Sequence, residues 1–178
     1  MKINFKDVII PTITLLIICV IAGAALGFSN IITKDKILEN ENQKLSDAMQ
    51  NVLPADEYKQ IEIDGADDGT ALYNAISGGN KIGYTALCTK TGYGGNVKVM
   101  VGIELSGTVK NVAIVSADDE TPGLGQNIKT DEFLSRFIGI NDTVAVDAWT
   151  GATISSNAVK DAVNQALSLA KTYGKEQP

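Results

Sequence analysis

Val8 to Phe28 is a nearly unbroken apolar run, and no other segment constrains the chain as strongly. At 1.5 Å per residue it spans roughly 30 Å, the thickness of a bilayer's hydrocarbon core. Pro11 is expected in the first turn of this helix, where proline is tolerated. Lys2 and Lys6 precede the run and Lys34 and Lys36 follow it, so the lysines do not set an orientation. The competing reading is a cleaved signal peptide, with Ala22-Gly23-Ala24 as the small-residue site. A signal sequence has an apolar region of only ~7–15 residues, which favours an uncleaved anchor. Gly23 and Gly27 form a GxxxG pair that lets a second helix approach, although glycine and alanine are also common in such helices.

Composition excludes several chemistries. The chain of 178 residues has no histidine, which removes histidine acid–base catalysis, His-ligated haem and the commonest zinc ligands. Its two cysteines, Cys19 and Cys88, lie in different apolar runs and form no CxxC pattern, so neither a disulfide nor a thiolate metal site is expected. A formal net charge of −6 argues against nucleic-acid binding.

After the apolar run, Ser29 to Leu53 has helical spacing: Ile31, Ile32, Leu38, Leu45, Ala48, Met49 and Val52 recur among charged residues until Pro54. The segment either docks one face on the following domain or stands as a solvated stalk. The pattern then turns to strands. Ile61-Glu62-Ile63 alternates; Ala71 to Ile76 and Lys81 to Cys88 flank the Ser77-Gly78-Gly79-Asn80 turn. Val97 to Leu105 and Val109 to Val115 flank Ser106-Gly107, and Val97-Lys98-Val99-Met100-Val101 alternates as in a sheet with one buried face. A short helix over Asp131 to Phe137, a final strand over Thr143 to Val146 and an amphipathic helix over Asn157 to Tyr173 complete the chain. Strands segregated from helices predict an α+β fold with an antiparallel sheet. The expected organisation is an N-terminal segment and membrane helix over 1–28 (span 8–28), a juxtamembrane helix or stalk over 29–54, and one domain over 55–178.

Three clusters can carry chemistry. Asp147-Ala148-Trp149-Thr150-Gly151-Ala152-Thr153-Ile154-Ser155-Ser156 places hydroxyls and small residues where a strand pattern gives way to a helix pattern. A phosphate can sit there against free N–H groups, or be joined to a hydroxyl. The alternative is an ordinary cap made by Ser155 or Ser156. Glu120-Thr121-Pro122-Gly123-Leu124-Gly125 reads as a turn presenting one apolar residue, against which a flat ring can lie. Thr91-Gly92-Tyr93-Gly94-Gly95-Asn96 is a glycine-rich link whose tyrosine can stack on a ring or pack on the domain; it is not a phosphate loop. The neighbouring Asp118-Asp119-Glu120 lacks metal-ligand spacing and reads as solvated.

In this order behind one membrane helix, the clusters resemble the FMN-binding G subunit of Rnf-type electron-transport complexes, whose domain also occurs in the C subunit of sodium-pumping NADH:quinone reductases. The matching residues are Gly92 to Gly95, Val99 to Ile103, Glu120 to Gly125, and Asp147 to Ser156. The most specific piece, Asp147-x-x-Thr150-Gly151-Ala152-Thr153, is similar to the acceptor motif for covalent flavin attachment. Two positions depart from the family pattern: Asp118 stands where relatives often have histidine, and Trp149 where a smaller apolar residue would be unsurprising.

The resemblance implies FMN joined to Thr153 as a phosphoester by a flavin transferase that consumes FAD. The flavin ring is then expected between the Thr150–Gly151–Ala152–Thr153 turn and the loop holding Glu120, Thr121, Gly123, Leu124 and Gly125, with Tyr93 and Gly94 alongside and Ser155 and Ser156 at the helix start. It implies a cytoplasmic N-terminus, an extracytoplasmic domain, other membrane subunits as partners, and electron relay between ferredoxin and NAD coupled to ion transport. No dinucleotide fingerprint is present, so turnover by the isolated chain is not expected. The alternatives are a stand-alone extracytoplasmic flavin carrier, a C-type subunit of the sodium pump, and a membrane-tethered binding or scaffold module without redox chemistry.

Overall fold

The computed structural model describes residues 5–65 and 67–174. The chain divides into two compact units, residues 1–43 and 44–178. A single helix, α1 (Phe5–Val52), replaces the two expected helical segments. Nothing in the sequence between them breaks helical backbone, because Ser29 and Asn30 are tolerated there and Pro54 is the first residue that cannot continue it. Pro11 consequently lies inside the helix rather than in its first turn. The part of α1 in the first unit is long and apolar enough to cross a membrane, and its side chains, Ile10, Leu15, Leu16, Val20 and Leu26 among them, are exposed.

The second unit is built on a five-stranded antiparallel meander in the order β1 to β5: β1 (Glu57–Ile61), β2 (Ala71–Ser77), β3 (Asn80–Thr91), β4 (Asn96–Glu104) and β5 (Val109–Ser116). The expected first strand at Ile61-Glu62-Ile63 is shifted: only Ile61 lies in β1, paired with Leu72. Gly78 and Gly79 both adopt positive φ, the requirement of a two-residue hairpin turn, and pin the β2–β3 register at Ser77 opposite Asn80. After β5 come a 3₁₀ turn (Gly125–Lys129), the short helix α2 (Asp131–Leu134), a second 3₁₀ turn (Ser135–Phe137), and the long helix α3 (Thr153–Tyr173).

Both faces of the sheet are covered. On one, Val97, Val99, Val101 and Ile103 of β4 meet Ala158, Val159, Ala162, Val163, Ala166 and Leu167 of α3, with Phe133 and Phe137 beside them. On the other, Met100, Ala75 and Ala113 meet Ala48, Met49, Val52 and Leu53. The single buried face expected for β4 is therefore corrected to two. The second face is covered by the last two turns of α1, which pack so closely that a Cβ on Gly102 would meet the Val52 carbonyl.

The expected strand over Thr143 to Val146 does not form. Val144 and Val146 are buried and Thr143 and Ala145 exposed, so the alternation is real, but the segment joins no ladder. The Val144 amide instead donates to Asn164 Oδ1 on α3 at 2.9 Å. A side-chain amide has taken the place of a neighbouring strand.

Candidate functional site

The three chemistry-bearing clusters meet at the start of α3. The helix begins at Thr153, four residues earlier than its apolar stripe suggests. Its N-cap is Ala152, with no side-chain capping bond, so the alternative reading of Ser155 or Ser156 as a cap is not what these serines do. Both are buried in the first turn. Ser156 Oγ accepts the Trp149 amide at 3.0 Å, and Ser155 Oγ donates to Glu120 Oε2 at 2.6 Å. The first helical bond runs from the Ser156 amide to the Ala152 carbonyl at 2.8 Å, which leaves the amides of Thr153, Ile154 and Ser155 ahead of it.

Glu120 overturns the reading of Asp118-Asp119-Glu120 as a solvated group. Asp118 and Asp119 are exposed, and the Lys129 ammonium beside Asp118 holds its carboxyl below the usual range. Glu120 is only 1% exposed. Its Oε1 accepts the Tyr93 amide at 2.8 Å and the Gly94 amide at 3.3 Å. Two glycines make room for it: a Cβ on Gly92 would meet Oε1, and one on Gly125 would meet Oε2. A buried carboxylate needs hydrogen bonds to offset lost hydration, and this one has them from the Gly92–Gly95 loop and the first turn of α3.

A cavity of about 520 Å³ opens beside this seat, lined by Tyr93, Thr121, Leu124, Gly125, Gly151, Ala152, Thr153, Ile154 and Ser155. Tyr93 is 72% exposed, Leu124 49% and Ile154 53%, so three large apolar side chains edge it. Gly151, at φ +81°, turns the chain into α3 in a conformation that L residues rarely adopt. Thr153 is exposed at the helix start.

The remaining expected residues lie around the cavity rather than on it. Gly123 holds the turn at φ +77°, and its carbonyl accepts Asn127 Nδ2 at 3.0 Å. Gly94 packs on the Asp119 carbonyl. Thr150 lines a separate depression of about 270 Å³ with Glu132, Arg136, Ala148 and Trp149. There Arg136 lies 5.4 Å from the Trp149 ring centre, and Phe133 meets Trp149 edge-on at 6.4 Å. Ile154 is not among the expected site residues. Its position four before Ala158 assigns it to the buried stripe of α3, yet it stands at the cavity mouth.

The cavity volume lies within the range of cofactor pockets, and its apolar mouth and unbonded first-turn amides suit a flat ring carrying a phosphate. Comparison with known proteins agrees. Residues 92–168 match the family model described as the FMN-binding domain. The G subunit of the ion-translocating oxidoreductase complex of Methanosarcina acetivorans is 33% identical, with 91% of this chain and 94% of that protein covered. The G subunit of the proton-translocating ferredoxin:NAD(+) oxidoreductase complex of Clostridium ljungdahlii is 32% identical over 91% of each. In fold, the chain resembles the crystal structure of the C subunit of the Na(+)-translocating NADH-quinone reductase from Parabacteroides distasonis. The TM-score is 0.62 at 17% identity, over 82% of this chain and 98% of that one. A buried glutamate seat, a ring-sized cavity and a hydroxyl at the helix start thus occur in a chain that belongs to the G-subunit family of ion-translocating oxidoreductase complexes.

Proposed function

We propose that this chain is a membrane-anchored electron-transfer subunit of an Rnf-type ion-translocating complex, relaying electrons through FMN covalently attached to Thr153. The observation that carries the reading is the cavity at the start of α3, which gathers residues from all three clusters around the Thr153 position. FMN supplies a ring that accepts and releases electrons, and the protein supplies its position and surroundings.

Thr153 offers its hydroxyl where the first-turn amides and the helix dipole favour an anion. In the attachment step the hydroxyl oxygen bonds to the phosphorus of the FMN half of FAD. The pyrophosphate bond breaks, AMP leaves, and the hydroxyl proton passes to a base on the flavin transferase. Tyr93, Leu124 and Ile154 give the ring apolar contact, and Gly151 lets the chain turn without a side chain in the way. Covalent attachment makes retention intramolecular, which matters for a domain facing the outside of the cell. The anchor is residues 8–28 of α1, with the N-terminus cytoplasmic, the domain extracytoplasmic, and other membrane subunits as partners.

Thr153→Val tests this. The full chain is expressed with a flavin transferase and run on a denaturing gel. The wild-type band is expected to fluoresce as flavin and the variant band to be dark. A fluorescent T153V band refutes attachment at this residue.

A further inference from the structure

We propose that Glu120 is the positioning residue of the attachment site: its buried carboxylate holds the first turn of α3 against the Gly92–Gly95 loop, so that the Thr153 hydroxyl is set before flavin arrives. The proposal rests on flavin attachment at Thr153 and adds the group that makes that attachment possible.

Glu120 does not itself line the cavity. It lies behind the wall, and the groups it holds form that wall: Tyr93 and Ser155, with Gly125 packed on the carboxylate. Its two oxygens divide the work. Oε1 takes the Tyr93 and Gly94 amides, and Oε2 takes the Ser155 hydroxyl at 2.6 Å. Bonds to an ionised acceptor are the strong class, and these join parts of the chain separated by 27 and 35 positions. The Ser156–Trp149 bond fixes the same turn only to its own approach segment. Among the hydrogen bonds of the described residues, only those of Glu120 tie it to the opposite side of the cavity. The seat is built for a carboxylate of this length, since Gly92 and Gly125 have no space for a Cβ beside it.

The chemistry of glutamine separates position from charge. In Glu120→Gln the side-chain oxygen still accepts the Tyr93 and Gly94 amides, and the NH₂ donates to Ser155 Oγ with the direction of that bond reversed. The shape of the site survives and the charge does not. Glu120→Ala removes all three bonds, and Glu120→Asp is too short to span both sides.

The test uses the full chain in detergent with FAD and a flavin transferase, reading kcat and KM for flavin transfer, and hydrogen exchange on the flavin-free protein. For E120A, kcat is expected to fall on the order of tenfold or more, as misplacement of a reacting group does, with KM for FAD unchanged. The Tyr93 and Gly94 amides are expected to exchange faster while the β3–β4 ladder stays protected. E120Q is expected to transfer close to the wild-type rate. If E120A does not accumulate, E120D is read in its place with the same expectation. Wild-type kcat in E120A or E120D overturns the proposal. So does an E120Q as slow as E120A, or loss of protection across the whole sheet, which would mark Glu120 as fold-maintaining only. Failure of the Thr153 reading looks different: the wild-type chain itself takes no flavin from a transferase that loads a control substrate, and the exchange data still decide whether Glu120 holds the turn.

Discussion

The close approach of helix backbone to β4 predicts the effect of one methyl group. In Gly102→Ala, the new Cβ would meet the Val52 carbonyl oxygen and lie 2.7 Å from its carbon and 3.0 Å from its Cβ. Gly102 has no positive φ, so the difficulty is space and not conformation. The obstacle is helix backbone, which cannot swing aside like a side chain, so the end of α1 must withdraw by about 1 Å to reach ordinary contact. Overpacking costs about 1–3 kcal/mol, and the upper end applies because Val52 and Met49 lose their fit against Met100 and Ala113 as well. At about 4 °C per kcal/mol for a unit of this size, Tm falls by roughly 10 °C. Trp149, the sole tryptophan, reports unfolding of the second unit by fluorescence, and hydrogen exchange over residues 45–53 reports the docked turns. A Tm lowered by less than about 2 °C, half the shift that even 1 kcal/mol gives, with unchanged exchange in those turns would refute the close packing.

Two further outcomes follow from the core. Burial pushes the Cys88 thiol up to about 12 from its usual 9.0, with Lys90 pulling it down and Asp67 pushing it up. The unfolded chain therefore gives up this proton at lower pH than the folded one. Its contribution to stability is complete below pH 9 and is lost as pH rises toward 12, at about 1.4 kcal/mol per pH unit; denaturant midpoints measured across that window should flatten in Cys88→Ala. A chain begun at Pro54 lacks the Ala48–Met49–Val52 contacts and bares Met100, Ala75 and Ala113. It is expected to bind a hydrophobic dye and unfold at lower denaturant than one begun before Lys44.

Much of this architecture is visible in the residues. The four longer strands and α3 follow their alternation and 3.6-residue spacing to within a few positions, because each has a continuous apolar face and glycine turns between. What spacing does not carry is which partner satisfies a segment. Thr143 to Val146 alternates like a strand, yet its backbone partner is one asparagine on α3. Lys98 makes β4 look one-sided, while the decisive residue is Gly102, whose missing side chain admits a helix. At the site, the clusters around Thr153, Leu124 and Tyr93 were legible, and Glu120 was expected beside the ring; its burial behind the wall, joining the clusters, was not. Glu120 follows two exposed aspartates, and only its distant amide and hydroxyl donors distinguish it from them.

The meander has a consequence for the order of assembly. Each strand pairs with its neighbour in the chain, so hairpins can zip one after another with little loop-closure entropy. The cavity obeys a different rule, because one side belongs to the β3–β4 turn and the loop after β5 and the other to the start of α3. The strands can pair one neighbour at a time, but the cavity is whole only once a segment far along the chain has closed over the hairpin.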